Sequence, residues 1–263
     1  MLIKRLISAA IGIPVVVVVV SAGGAWYDAV LGVVLFAATA EFLISAGSAR
    51  RDPLTWLPAL LTGVLPFAAR GGLSWPVGLL AAELLLSLAW VAADGTVQPG
   101  LRRWLLGAGI AVYVGWLGMH LALLRHLPDG RAWVLLALLT TFASDTGAYA
   151  VGRAFGRHRL APRISPSKTV EGAAGGLAAA AVAATLLNLL LGPSEPIWLM
   201  PFLGLGISAL AQLGDLAESA IKRSLEMKDA GRLVPGHGGL LDRLDSLLFV
   251  GTVLYYVVRW ISL

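Results

Sequence analysis

Residues Val170 to Leu191 read VEGAAGGLAAAAVAATLLNLLL, with one ionisable side chain, Glu171, beside the first position. An α-helix rises 1.5 Å per residue, so a stretch of this length crosses the ~30 Å of hydrocarbon in a bilayer. Similar stretches fill the chain. Candidate spans are Leu6–Ala22, Trp26–Ala46, Leu54–Ala69, Leu73–Ala93, Trp104–Leu124, Trp133–Val151, Val170–Leu191, Trp198–Leu213 and Leu247–Leu263. Polar or Pro/Gly-rich breaks separate them, because unpaired backbone groups are tolerated only outside hydrocarbon or inside protein. The third span is short and interrupted by proline, with Pro53, Pro58 and Pro66 in or beside it. The first follows Lys4 and Arg5 as a signal peptide would. Its apolar run is longer than a typical signal core and more spans follow at once, so it reads as a retained helix.

Composition agrees. Of 263 residues 58% are hydrophobic and 13% charged, against about a quarter charged in a soluble domain. Too few polar side chains remain to cover a water-facing surface. That excludes an ordinary soluble enzyme and a disordered chain. Cysteine is absent, which excludes a disulfide scaffold and a thiolate metal site. The expected fold is all-α: a polytopic membrane bundle of about nine transmembrane helices. Residues 1–130 are expected to embed the chain, and 131–263 to form a catalytic region with cytoplasmic loops.

Charge sets the orientation. With nine spans the loops alternate sides. Lys4, Arg5, Arg50, Arg51, Arg102, Arg103, Arg153, Arg157, Arg159, Arg163, Lys168, Lys222, Arg223, Lys228, Arg232 and Arg243 fall on the side of the N-terminus. Only Arg70, Arg125, Arg131 and Arg259 fall opposite. Basic loops stay cytoplasmic, so the N-terminus is expected there. The net charge of +5 is therefore a topology signal. No basic helix interleaved with exposed aromatics and no recognition module is visible, so nucleic acid is not an expected partner.

Ionisable groups at membrane depth are costly and mark function by default. Glu41 and Glu83 each stand alone in apolar stretches, and read as neutral or hydrogen-bonded acids facing the bundle. Asp145 differs. Thr141, Ser144, Asp145 and Tyr149 share one helix face. A longer stripe joins Ser208, Gln212, Asp215, Ser219, Lys222 and Glu226, with Glu218 and Arg223 at its border. It predicts one helix running from the eighth span past Met227. A Glu218–Lys222 pair at i, i+4 accounts for the far end of that stripe. Asp215 has no cation within four residues, so a local pair does not account for it.

Two cytoplasmic segments concentrate the chemistry. Lys228-Asp229-Ala230-Gly231-Arg232-Leu233-Val234-Pro235-Gly236-His237-Gly238-Gly239 is followed by Asp242, Arg243 and Asp245. Glycines around His237 free the backbone for close approach or positive φ, and exposed N–H groups there can form an anion nest. Asp242 and Asp245, at i, i+3, share a face where the last helix is predicted to start. With Asp215 they could make a hard, all-oxygen site of the kind Mg²⁺ takes. The other segment carries Arg153, Arg157, Arg159 and Arg163, then Ser165-Pro166-Ser167-Lys168-Thr169-Val170-Glu171-Gly172. Hydroxyls, a lysine and free N–H groups at a helix start suit phosphate. The segment lacks the P-loop frame, and His237 lacks the H-E-x-x-H frame of a zinc site.

The second set of residues resembles a known signature. Ser219-x-x-Lys222-Arg223-x4-Lys228-Asp229-x-Gly231, then Pro235-x-His237-Gly238-Gly239-x-x-Asp242-Arg243-x-Asp245, is similar to that of phosphatidate cytidylyltransferases (CDP-diacylglycerol synthases). Ser144-Asp145-Thr146-Gly147-Ala148-Tyr149 and Ser165-Pro166-Ser167-Lys168-Thr169-x-Glu171-Gly172 resemble the family too. The N-terminal half fits in character only. The resemblance implies transfer of cytidylyl from CTP to phosphatidate in a bacterial inner membrane, with the active site facing the cytoplasm. It implies Mg²⁺, alone or paired with K⁺, held by Asp215, Asp242 and Asp245. Lys222, Arg223 and Arg243 would neutralise phosphate. Asp145, Ser165, Lys168, Thr169, Lys228, Asp229, His237, Gly238 and Gly239 would contact the substrates.

Close alternatives are a CDP-archaeol synthase or a polyprenol kinase. An ion or metabolite transporter would need paired interrupted helices in matching halves, and none is visible. The glycine-rich run from Gly172 to Gly176 could pack within the chain or across a homodimer.

Overall fold

The computed structural model describes residues 12, 14–95, 97–191, 195–233 and 238–261. The start of the first expected span, His237 and the last two residues lie outside them. Helix α1 is described over residues 14–22. It is followed by α2 (Gly24–Ser45), α3 (Pro53–Ala68), α4 (Ser74–Asp94), α5 (Val97–Ile110), α6 (Leu117–His126) and α7 (Gly130–Phe155). Then come α8 (Val170–Leu191), α9 (Met200–Ser224) and α10 (Asp245–Ile261). Among the described residues six stretches are long and apolar enough to cross a membrane. They are Gly24–Ser45, Ser74–Asp94, Gln98–His126, Gly130–Phe155, Val170–Leu191 and Ile197–Ser224. The outward face of α8 is apolar, with Val182, Leu186, Leu189 and Leu190 exposed, as suits contact with lipid.

Two compact units are present. The first combines Met1–His126 with Asp229–Arg243, and the second combines Leu127–Lys228 with Leu244–Leu263.

In the first unit the short α3 starts cleanly. Asp52 caps it by accepting from the Leu54 N–H at 3.0 Å, and proline opens the helix, where its missing donor costs nothing. Thr62 occupies an otherwise apolar interface with α2, donating to Ala59 and Leu35 carbonyls. Between α5 and α6 a π-helical segment, Ala111–Trp116, interrupts what the sequence predicts as one regular span. At one end of this unit the buried Asp28 pairs with Arg70 at 2.5 Å and with His126 at 3.2 Å. One carboxylate thereby ties the start of α2 to the ends of α3 and α6.

In the second unit α7 and α8 make the most extensive helix pair. Small residues let their backbones approach. A Cβ on Gly172 would sit 2.8 Å from the Ala148 carbonyl, and one on Gly176 would sit 3.0 Å from that of Ser144. The glycine-rich run thus packs within the chain. Helix α9 joins this pair through Ser208, whose hydroxyl meets that of Ser144 at 2.7 Å.

The segment between α7 and α8 departs from the simple helix start read from sequence. It is an antiparallel hairpin of β1 (Arg159–Ala161) and β2 (Ser165–Thr169). Glu171 closes its base by accepting from the Arg157 and His158 N–H groups and meeting His158 Nδ1 at 2.6 Å. Thr169 supplies the helix cap, accepting from the Gly172 N–H at 3.1 Å. Helix α9 also ends earlier than its polar stripe predicts. The chain leaves it at Ser224, and Glu226 takes a left-handed φ of 57°.

Candidate active site

The polar faces of α7 and α9 meet the hairpin around a cavity of about 480 Å³, within the range of small-molecule sites. Its walls include Asp145 and Tyr149 from α7, Ser167, Lys168 and Thr169 from β2, and Gln212 and Asp215 from α9. All belong to the second unit. The cation that Asp215 lacks within four residues of itself comes from the hairpin. Lys168 Nζ stands 2.6 Å from Asp215 Oδ2, while Ser219 donates to Oδ1 at 3.3 Å. Arg153 lines the cavity too and donates to the Tyr149 hydroxyl at 2.8 Å.

Gln212 is fixed in one orientation. Its Nε2 donates to the Ala173 carbonyl at 3.2 Å and to Ser208 Oγ at 3.0 Å. A carbonyl can only accept, so the amide nitrogen must face it.

Asp245 opens α10, ahead of the last apolar stretch, and is buried. Its Oδ1 accepts from the Ser246 N–H at 2.6 Å. Burial, and after it the charge of Asp215, push its carboxyl up to about 7, with Asp145 adding to the rise and Lys222 opposing it. Sequence reading missed the residue that makes this packing possible. Gly214 sits where α9 meets the start of α10, and a Cβ there would lie 2.5 Å from the Asp245 carbonyl.

Other expected site residues are placed less simply. Lys222 is buried, and its ammonium meets Glu218 Oε2 at 2.6 Å. Arg223 is exposed and donates to the Met227 carbonyl, and Lys228 is exposed. Ser165 lies on β2 but does not line the cavity.

Asp229, Gly238, Gly239, Asp242 and Arg243 belong to the first unit. There Asp242 lies in a 3-10 turn (Leu241–Arg243) ahead of α10, off the regular helix that the sequence predicts. Its carboxylate accepts from the Ala230 N–H at 3.1 Å and the Gly239 N–H at 2.7 Å. A second carboxylate, which the sequence places alone in an apolar stretch, serves the same loop. Glu41 of α2 accepts from the N–H groups of Arg232, Leu233 and Leu240 at 2.5, 2.6 and 2.8 Å.

Among the described residues no three carboxylates or imidazoles form a ready-made metal cage. The donor set nevertheless fits Mg²⁺. That ion takes one or two carboxylates and completes its shell with water or substrate phosphate. Asp215 and Asp245 stand near enough for one charge to act on the other. The cavity itself offers carboxylate oxygens from Asp145 and Asp215, and ammonium and guanidinium groups from Lys168 and Arg153 for phosphate.

Comparison with known proteins identifies the family of the chain. The sequence matches the Cytidylyltransferase family over residues 3–261. It is 38% identical over 232 residues to a phosphatidate cytidylyltransferase of Brucella suis biovar 1, covering 87% of this chain and 82% of that one. A protein of the same name from Bacillus subtilis is 42% identical over 153 residues, 58% of this chain and 57% of its own. One from Staphylococcus saprophyticus is 38% identical over 181 residues, 67% and 68% of the two chains. With a family match over nearly its whole length, the chain belongs to the cytidylyltransferase family.

Proposed function

We propose that this chain transfers the cytidylyl group of CTP to phosphatidate, giving CDP-diacylglycerol and pyrophosphate. The observation that carries the reading is the likeness, across 87% of the chain, to a relative named for that reaction. A phosphate oxygen of the lipid attacks the α-phosphorus of CTP. The bond to the β-phosphate breaks, and pyrophosphate leaves with the electron pair. The attacking oxygen is already anionic, so no strong base is required. Catalysis is positioning and charge neutralisation.

The chain's own residues divide that work. Lys168 and Arg153 offer positive charge at the cavity wall, and the hydroxyls of Ser167 and Tyr149 offer polar contacts beside them. Lys222, Arg223 and Arg243 add charge for phosphate. Asp215 and Asp245 are the residues that would hold Mg²⁺. When bound, that ion supplies a Lewis acid for phosphate oxygens.

The reading takes nine spans in a bacterial inner membrane. The N-terminus and the cavity then face the cytoplasm, in keeping with the side on which most of the 20 lysines and arginines lie. Lipid reaches the site from the bilayer and CTP from water.

The test is direct. The purified chain in detergent or nanodiscs receives labelled CTP, Mg²⁺ and one of phosphatidate, an archaeal ether phospholipid or a polyprenol. Label should enter a CDP-lipid with phosphatidate, with one pyrophosphate released per turnover. Transfer to the polyprenol or ether lipid alone would refute the substrate, and no CTP-dependent product at all would refute the reaction.

A further inference from the structure

The loop Asp229–Arg243 carries much of the signature, yet little of its described backbone is in regular structure. Such a segment has no ladder to satisfy its N–H groups, which take other acceptors instead. Two carboxylates provide them. Asp242 gathers Ala230 and Gly239 from within the loop. Glu41 comes from far away in sequence and gathers Arg232, Leu233 and Leu240. Both belong to the same compact unit. Bonds to an ionised acceptor are short and strong, and Glu41 makes three on both its oxygens.

A glycine records the same fit. A Cβ on Gly231 would overlap the Glu41 carboxyl group, and one on Gly239 would press on the Gly231 N–H at 2.5 Å. The loop folds closely around the carboxylate, and a side chain at position 231 would displace it. Glu41 does not line the cavity.

We infer that Glu41 is a positioning residue for the signature loop: its carboxylate sets the backbone around Arg232, Leu233 and Leu240 and through it the placement of Asp242 and Arg243. This rests on the proposed cytidylyl transfer for its kinetic consequence, but not for its structural one. Loss of the carboxylate frees three amides at once. Gln is a poor substitute, because its NH₂ must face one of these N–H donors.

Two measurements test it. Hydrogen–deuterium exchange on the intact chain in nanodiscs reads the loop without any substrate. In Glu41→Ala, the amides of Arg232, Leu233 and Leu240 should exchange at least about tenfold faster, the loss of one bond to a charged group being worth that much. Peptides of α2 and α3 should be unchanged. Unchanged loop exchange would overturn the inference even if the enzyme works as proposed.

The second measurement is a double-mutant cycle on turnover. Glu41→Ala and Gly231→Ala should each lower kcat by at least about tenfold, with KM for CTP moving less. The double variant should be no worse than the poorer single one, because the new methyl enters space the carboxylate has left. Losses that multiply would mean Glu41 acts elsewhere and would overturn it. If the wild-type chain forms no CDP-lipid, the functional reading fails while the exchange result still decides the role of Glu41.

Discussion

Gly214→Ala tests how finely the start of α10 is set against α9. The added Cβ would lie 2.5 Å from the Asp245 carbonyl and 3.1 Å from Ser246 Cα. Ordinary contact begins near 3.4 Å, so the helices must separate by ~0.9 Å. The obstacle is backbone, which cannot swing aside as a side-chain tip can. Overpacking of this kind costs about 1–3 kcal/mol of stability. Its effect on chemistry should be larger, because Asp245 moves with the helix start while Asp215 stays on α9. A displacement near 1 Å at a reacting site can lower turnover ~100-fold. Gly206 on the same helix is the control, since a Cβ there meets nothing within 4 Å. Turnover of both variants at saturating CTP is compared, with the folded fraction taken from size-exclusion profiles. Gly206→Ala should match wild type and Gly214→Ala should fall by about two orders of magnitude. A Gly214→Ala enzyme within twofold of wild type, with a normal profile, would refute the reasoning.

Three further outcomes follow from the site. The Asp245 carboxyl is raised from 3.8 to about 7, so the folded chain holds that proton more tightly than the unfolded one. In metal-free buffer wild-type stability should therefore fall as pH rises from about 4 to about 7. Asp245→Asn should lack that fall and be the more stable protein at pH 8, by at most ~4 kcal/mol; thermal unfolding in detergent reads both, and a variant less stable at pH 8 contradicts it. Lys168→Met should raise KM for CTP by about tenfold or more, since it removes a full charge facing phosphate; an unchanged KM would remove Lys168 from the nucleotide site. Chelation with EDTA should abolish CDP-lipid formation and added Mg²⁺ should restore it, whereas activity persisting through chelation would end the metal assignment.

The membrane helices were legible because burial in lipid leaves long apolar runs that little else in the chain imitates. The stripes at Asp145 and Asp215 were legible for the same reason, since isolated acids stand out in such runs. What joins them was not. Lys168 pairs with Asp215 across 47 positions only because a hairpin turns the lysine inward, and a three-residue strand at Arg159–Ala161 has no periodicity to read. The π segment at Ala111–Trp116 leaves the hydropathy pattern unaltered and so was invisible. Asp242 was expected on the last helix because i, i+3 spacing fits a helix; a 3-10 turn accommodates the same spacing. In the sequence Glu41 reads as a neutral or hydrogen-bonded acid facing the bundle. Its partners are backbone N–H groups, which carry no side-chain signal at any distance along the chain.

The ion pair between Lys168 and Asp215 also makes the resting cavity internally neutralised at its centre. An anion that draws Lys168 away would leave Asp215 without that cation, and a cation that takes Asp215 would set Lys168 loose. Each arrival lowers the penalty for the other, so linkage requires the two to bind with positive cooperativity. On the proposed function, the cavity would discriminate against free nucleotide and free cation alike and favour the two together.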